Sequence, residues 1–177
     1  KPPTAVLDDV GPDEVPSGTL VNFSGHGIDE DGLIVGYLSE SSRDGSIGTT
    51  ATFNSTNLSL GFHFVTFRVV DDDGDWSEAV DDSIWIYAPP VALAGPDVDA
   101  LQHGPVQFNG QGSDEDGEVA FWEWDFDGNG IYEWSSLQNG LATYAYPVPG
   151  TYIAELRVTD NDGFSSIDHV EIVVQST

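Results

Sequence analysis

The chain has 177 residues, with 31 Asp and Glu against 4 Lys and Arg, and a formal net charge of −27. Length permits one or two domains. A charge this negative excludes nucleic acid and anionic membranes as electrostatic partners. The lack of cysteine excludes disulfides and thiol catalysis, and no apolar run approaches the roughly 20 residues that span a bilayer. Hydrophobic residues are 39% of the chain, enough to build cores, so the acidity does not signal disorder.

The opening residues Lys1-Pro2-Pro3-Thr4-Ala5-Val6 lack the pattern of a signal peptide, and the chain reads as a piece of something longer. VNFSGHGIDEDG at 21–32 is nearly repeated as VQFNGQGSDEDG at 106–117, with eight of twelve letters shared. FRVVDDDGDWS at 67–77 is echoed by LRVTDNDGFSS at 156–166, and KPPTAV at 1–6 by APPVAL at 88–93. The chain is therefore predicted to be a duplication, with modules at 1–88 and 89–177 joined by the short, stiff linker Ala88-Pro89-Pro90.

Within each copy the period is two. In the first, His63, Val65, Phe67 and Val69 form one stripe. In the second, Ala120, Trp122, Trp124 and Phe126 share a predicted inner face opposite Glu123 and Asp125; Tyr152, Ala154, Leu156 and Val158 form another stripe. Short alternating strands between Gly-, Pro-, Asn- and Asp-rich turns, with no helical period, predict an all-β fold of two tandem immunoglobulin-like antiparallel sandwiches. Gly150-Thr151-Tyr152 matches the tyrosine corner of such folds, and His63 takes the tyrosine's place in the first copy, as a structural residue. Asn22, Asn54 and Asn57 begin glycosylation sequons, and parity turns Asn22 outward.

WEWDFDGNG at 122–130, followed by YPVPGTYIAELRVTDNDG at 146–163, resembles the polycystic kidney disease (PKD) domain, an immunoglobulin-like module. The first copy keeps the acidic turns and Gly61 but has Tyr37, Ser39 and Ser41 where the second has Trp122, Trp124 and Phe126. The resemblance implies a module of secreted or cell-surface proteins, and some members bind calcium with help from the incoming linker.

The acidic loops have a physical reading of their own. A loop after an early strand and one before the last strand meet at the same end of such a sandwich. Asp29, Asp31, Asp71 and Asp73 are thus expected to converge in the first copy, and Asp114, Asp116, Asp160 and Asp162 in the second. Carboxylates at close range repel, and a hard cation removes the conflict, since Ca²⁺ takes six to eight oxygens. Structural Ca²⁺ is therefore expected there, with the proline linkers able to donate only carbonyls. A weaker candidate is Asp125, Asp127, Asn129 and Gly130, which match the first half of an EF-hand loop; Ser136 stands at position twelve and Glu133 only at position nine.

No nucleophile elbow, zinc-protease motif or phosphate-binding loop is present, so no catalysis is expected. The expected function is a non-catalytic, calcium-stabilised extracellular spacer or adhesion segment. Its partners would be other domains of the same chain or cell-surface proteins. The alternative is an accessory module of a secreted enzyme that binds polysaccharide, including glycans generally, or fibrous protein, with Trp76 and Trp134 as exposed platforms.

Overall fold

The computed structural model describes residues 1–177, which divide into two compact units, Lys1–Ala88 and Pro89–Thr177. Every regular element is a strand. The first unit contains β1 (Thr4–Gly11), β2 (Glu14–Pro16), β3 (Val21–Ile28), β4 (Ile34–Ser41), β5 (Gly45–Gly48), β6 (Thr52–Ser55), β7 (Gly61–Asp71) and β8 (Val80–Tyr87). The second contains β9 (Val91–Leu93), β10 (Val98–Leu101), β11 (Pro105–Ser113), β12 (Val119–Asp125), β13 (Trp134–Ser136), β14 (Gly140–Ala145), β15 (Gly150–Asp160) and β16 (Ser165–Gln175).

Each unit stacks a three-stranded sheet on a five-stranded one. The orders are β1-β3-β6 over β2-β8-β7-β4-β5, and β14-β11-β9 over β10-β16-β15-β12-β13. In both, the entering chain starts on the small sheet and then crosses to the large one. There β2 runs parallel to β8, and β10 parallel to β16. All other pairings are antiparallel, so the units are immunoglobulin-like sandwiches.

Alternation sets the cores. In β15, Ala154, Leu156 and Val158 are fully buried, and in β7 so are His63, Val65, Phe67 and Val69. The second unit has one continuous core centred on Trp124, whose indole N–H donates to the Gly140 carbonyl at 2.9 Å. Phe108 lies 4.8 Å from it, ring centre to ring centre. In the first unit, Ser39 pairs with Phe67 where Trp124 pairs with Leu156. A buried serine cannot bridge the sandwich as tryptophan does. The first core accordingly falls into two clusters, one around Val65 and Ile84 and one of Ala5, Phe67 and Val69.

Two parity expectations fail for local reasons. Ala120 is exposed, because a bulge between Val119 and Phe121 shifts the register and gives Val119 the inward position. Asp125 is buried, because its strand ends there and its side chain folds into the following turn. Trp134 is half-buried against the core, not an open platform, while Trp76 is exposed beneath the Arg68 guanidinium. Asn22 and Asn54 face each other across β3 and β6, both exposed.

Candidate metal centres in the acidic loops

The two acidic loops of each unit are joined by hydrogen bonds. In the first unit the loop after β3 carries Asp29, Glu30, Asp31 and Gly32, and the loop after β7 carries Asp72, Asp73 and Gly74. Asp72 Oδ1 accepts the Leu33 N–H at 2.8 Å, tying one loop to the other. In the second unit Asn161 Oδ1 accepts the Glu118 N–H at 2.7 Å, and the Asn161 N–H donates back to the Glu118 carbonyl at 3.0 Å. Gly32 and Gly117 permit this closeness. A β-carbon at Gly32 would lie 2.6 Å from Asp29 Oδ2 and closer still to Asp72 Oδ1. One at Gly117 would lie 2.8 Å from Asp114 Oδ2 and collide with Asn161 Oδ1.

Asp71 and Asp160, each closing its strand, are buried at 2% and 4% exposure and organise the second loop. Asp71 Oδ1 accepts the N–H groups of Asp73 and Asp75 at 3.1 and 2.8 Å. Asp160 Oδ1 accepts those of Asp162, Gly163 and Phe164 at 2.7 to 2.9 Å. The first loops are folded by Asx turns, Asp31 N–H to Asp29 Oδ1 and Asp116 N–H to Asp114 Oδ1. Asp73 and Asp162 lie exposed at the loop tips, and the side chains that reach across are those of Asp72 and Asn161. An oxygen-bearing side chain at that position in both copies was the sequence signal for this role.

Charge is balanced differently in the two sites. Lys1 Nζ lies 2.5 Å from Glu30 in the first unit, and the repeat puts Ala88 at the matching position of the second. Asp114 Oδ2 is buried and without a hydrogen-bond partner. Burial pushes the Asp114 carboxyl above the usual carboxylate range; the Asp116 and Asp160 carboxylates push it the same way. A buried, orphaned carboxylate oxygen beside two further carboxylates is chemistry that a hard, oxygen-seeking cation fits.

The third acidic group lies in the turn after β12. Single carboxylate oxygens of Asp125, Asp127 and Glu133 come within 4.8 Å of one another. Asp125 Oδ1 accepts N–H groups from Asp127, Gly128 and Asn129, and Oδ2 accepts that of Gly130 at 2.7 Å. Three amides converge on Oδ1 and one on Oδ2, so four N–H groups hold this carboxylate. Asp125 is thus committed to the turn. Asp127 and Glu133 are the exposed carboxylates left to meet a cation, and Glu133 Oε2 already accepts the Phe126 N–H at 2.9 Å. The Asn129 side chain is turned to the Ile131 N–H at 2.8 Å.

The architecture defines the class as tandem immunoglobulin-like sandwiches. Drosophila OTK, extracellular domains 3-5, shares that fold with a TM-score of 0.58 at 12% identity, over 97% of this chain and 62% of the other. Residues 87–174 match the sequence profile of the PKD domain, and this second unit is a PKD domain. Collagenase ColA of Clostridium perfringens is 34% identical over 86 residues, 48% of this chain and 7% of that protein. Dyslexia-associated protein KIAA0319 of Homo sapiens is 32% identical over 91 residues, 49% of this chain and 8% of that protein. The chain thus spans less than a tenth of the curated relatives it matches.

Proposed function

We infer that this chain is a non-catalytic extracellular segment in which two PKD-type sandwiches, folding as residues 1–88 and 89–177, present neighbouring domains or contact other proteins. The observation that carries a role for calcium is the orphaned, buried Asp114 Oδ2 beside Asp116 and Asp160. A structural Ca²⁺ held by Asp114, Asp116 and Asp160 relieves that conflict. The matching ligands in the first unit are Asp29, Asp31 and Asp71, with Asp72 in place of the neutral Asn161. Lys1, paired with Glu30, adds a positive charge beside that first site. Calorimetric titration of Ca²⁺ into the chelator-treated chain tests this: saturable heat lost in Asp114→Asn supports it, and no heat at millimolar Ca²⁺ removes calcium from the reading.

A second reading is favoured by one comparison. The 34% identity to part of a collagenase points to an accessory module that attaches to a fibrous protein. Co-sedimentation with insoluble collagen and with insoluble polysaccharide separates this from a pure spacer.

A further inference from the structure

We propose that the outer face of the five-stranded sheet in the first unit is a docking surface for a basic protein segment, whose lysine or arginine side chains seat against Phe62 and Phe64. The face is built in rows by strand register. Glu14 of β2 is opposite Trp85 of β8, which is opposite Phe62 of β7. In the next row Ser83 is opposite Phe64, whose N–H donates to Ser42 Oγ at 3.1 Å. In the third, Asp81 is opposite Thr66, which is opposite Glu40.

Phe62 and Phe64 are 49% and 58% exposed, while His63 between them is wholly buried. The core therefore does not account for the two rings. Nor does the repeat, since the matching rows of the second unit hold Thr151, Ile153 and Val173 where the first holds Phe62, Phe64 and Trp85. Two copies share one scaffold, and only the first carries aromatic rings in these rows.

Shape and charge select the occupant. The Phe62 and Phe64 ring centres are 5.1 Å apart with planes at 76°, so they form a corner, not the flat floor on which a sugar ring stacks. The exposed ring face of such an edge-to-face pair suits a lysine ammonium or an arginine guanidinium. Glu14, Glu40 and Asp81, all exposed, border the rings in the same and adjoining rows. Against them stand Arg68, drawn off over Trp76 and donating to the Ser77 carbonyl at 3.2 Å, and Arg43 beside Gly61 at one end. A partner with alternating basic side chains complements this arrangement in charge and in strand spacing.

The test uses the full chain and a synthetic peptide alternating arginine and serine, at near-physiological salt, with amide chemical shifts mapped by NMR. The expected shifts cluster on β4, β7 and β8. Phe62→Ser with Phe64→Ser, which leaves the charge untouched, should weaken binding about tenfold. Glu14→Gln with Glu40→Gln should weaken it as well, and serves alone if the phenylalanine variant fails to fold. Asp99→Asn, in the second unit, removes one charge and should change little. Unchanged affinity in both first-unit double variants, or shifts dispersed over the acidic loops of both units, would overturn the proposal. So would mapping of a neutral oligosaccharide such as cellohexaose, but not the peptide, to the same rows.

Discussion

His63 and Tyr152 perform the same task with different chemistry. The Tyr152 hydroxyl donates to the carbonyl of Val148, four residues upstream, at 2.9 Å; His63 Nε2 lies 2.7 Å from the carbonyl of Ser59, also four upstream. A carbonyl can only accept, so Nε2 carries the proton. The other ring nitrogen, Nδ1, lies 2.6 Å from the Ser41 hydroxyl. Asp44 stands 3.7 Å from Nδ1 and accepts the Ser59 N–H at 3.0 Å. Burial pushes the Asp44 carboxyl up, but the hydrogen bonds from Ser59 and the nearby His63 and Arg43 outweigh it and hold it below the usual range.

His63→Phe should keep the volume and take the imidazole partner from the Ser41 hydroxyl and the Ser59 carbonyl, while Ser41 Oγ keeps the Arg43 and Asp44 N–H groups. A cost of about 2 kcal/mol is expected from those losses. Tyr152→Phe, at a more exposed bond, should cost about 1 kcal/mol. Native-state hydrogen exchange of the β7 and β15 amides reads the two units separately. Equal protection in His63→Phe and wild type would reduce the corner to a coincidence of geometry.

Trp124 should be the least replaceable side chain of the second unit. It is fully buried, packs on Phe108 and Phe126, and anchors β14 through Gly140. Trp124→Ala should cost roughly 3–5 kcal/mol, the range for a deleted buried aromatic. Ser39→Ala, at the matching place in the first unit, should cost less than about 1 kcal/mol, because serine there spans nothing. Urea titrations in which the two variants unfold alike would contradict the account of the two cores.

The repeated acidic segments, the strand period and the corner residues were all readable because each is a local pattern matched at a second place in the same chain. What escaped depended on partners that a pattern does not reveal. Ala120 fits the inward stripe until a one-residue bulge exchanges it for Val119. Asp125 fits the outer face until the following turn recruits it as acceptor of four amides. Phe62-His63-Phe64 reads as one apolar run, and only cross-strand register separates the buried histidine from the two exposed rings. In the loops, Asp72 and Asn161 differ in charge, which hid that both use the same oxygen for the same inter-loop bond.

Salt should stabilise the chain in metal-free buffer. With 31 acids against 4 bases, self-repulsion opposes compaction, and screening weakens it as the Debye length falls to about 3 Å at 1 M. The melting temperature should climb from low salt toward about 1 M sodium chloride. A flat profile would mean that the charges are spaced widely enough to be screened by water alone.

Asp114 supplies the sharpest test, because proton and calcium act on it with opposite signs. Its folded carboxyl sits above the usual range, chiefly from burial and then from Asp116 and Asp160. A group raised on folding contributes its full stability below its unfolded pKa, about 3.9, and loses it as pH rises through the raised value. At neutral pH without metal the ionised Asp114, its Oδ2 unpartnered, is therefore a liability. Asp114→Asn should be more stable than wild type there, and the advantage should shrink as pH falls through the raised value toward about 4. Calcium should invert the order. At a hundredfold excess over the dissociation constant, mass action adds about 2.7 kcal/mol to the wild type, and the variant, having lost a charged ligand, should gain far less. Thermal melts of both proteins, with calcium and with chelator, at neutral and mildly acid pH, give the four comparisons needed. If Asp114→Asn is the weaker protein with chelator at neutral pH, the carboxylate is a structural hydrogen-bond acceptor and not a ligand awaiting its cation.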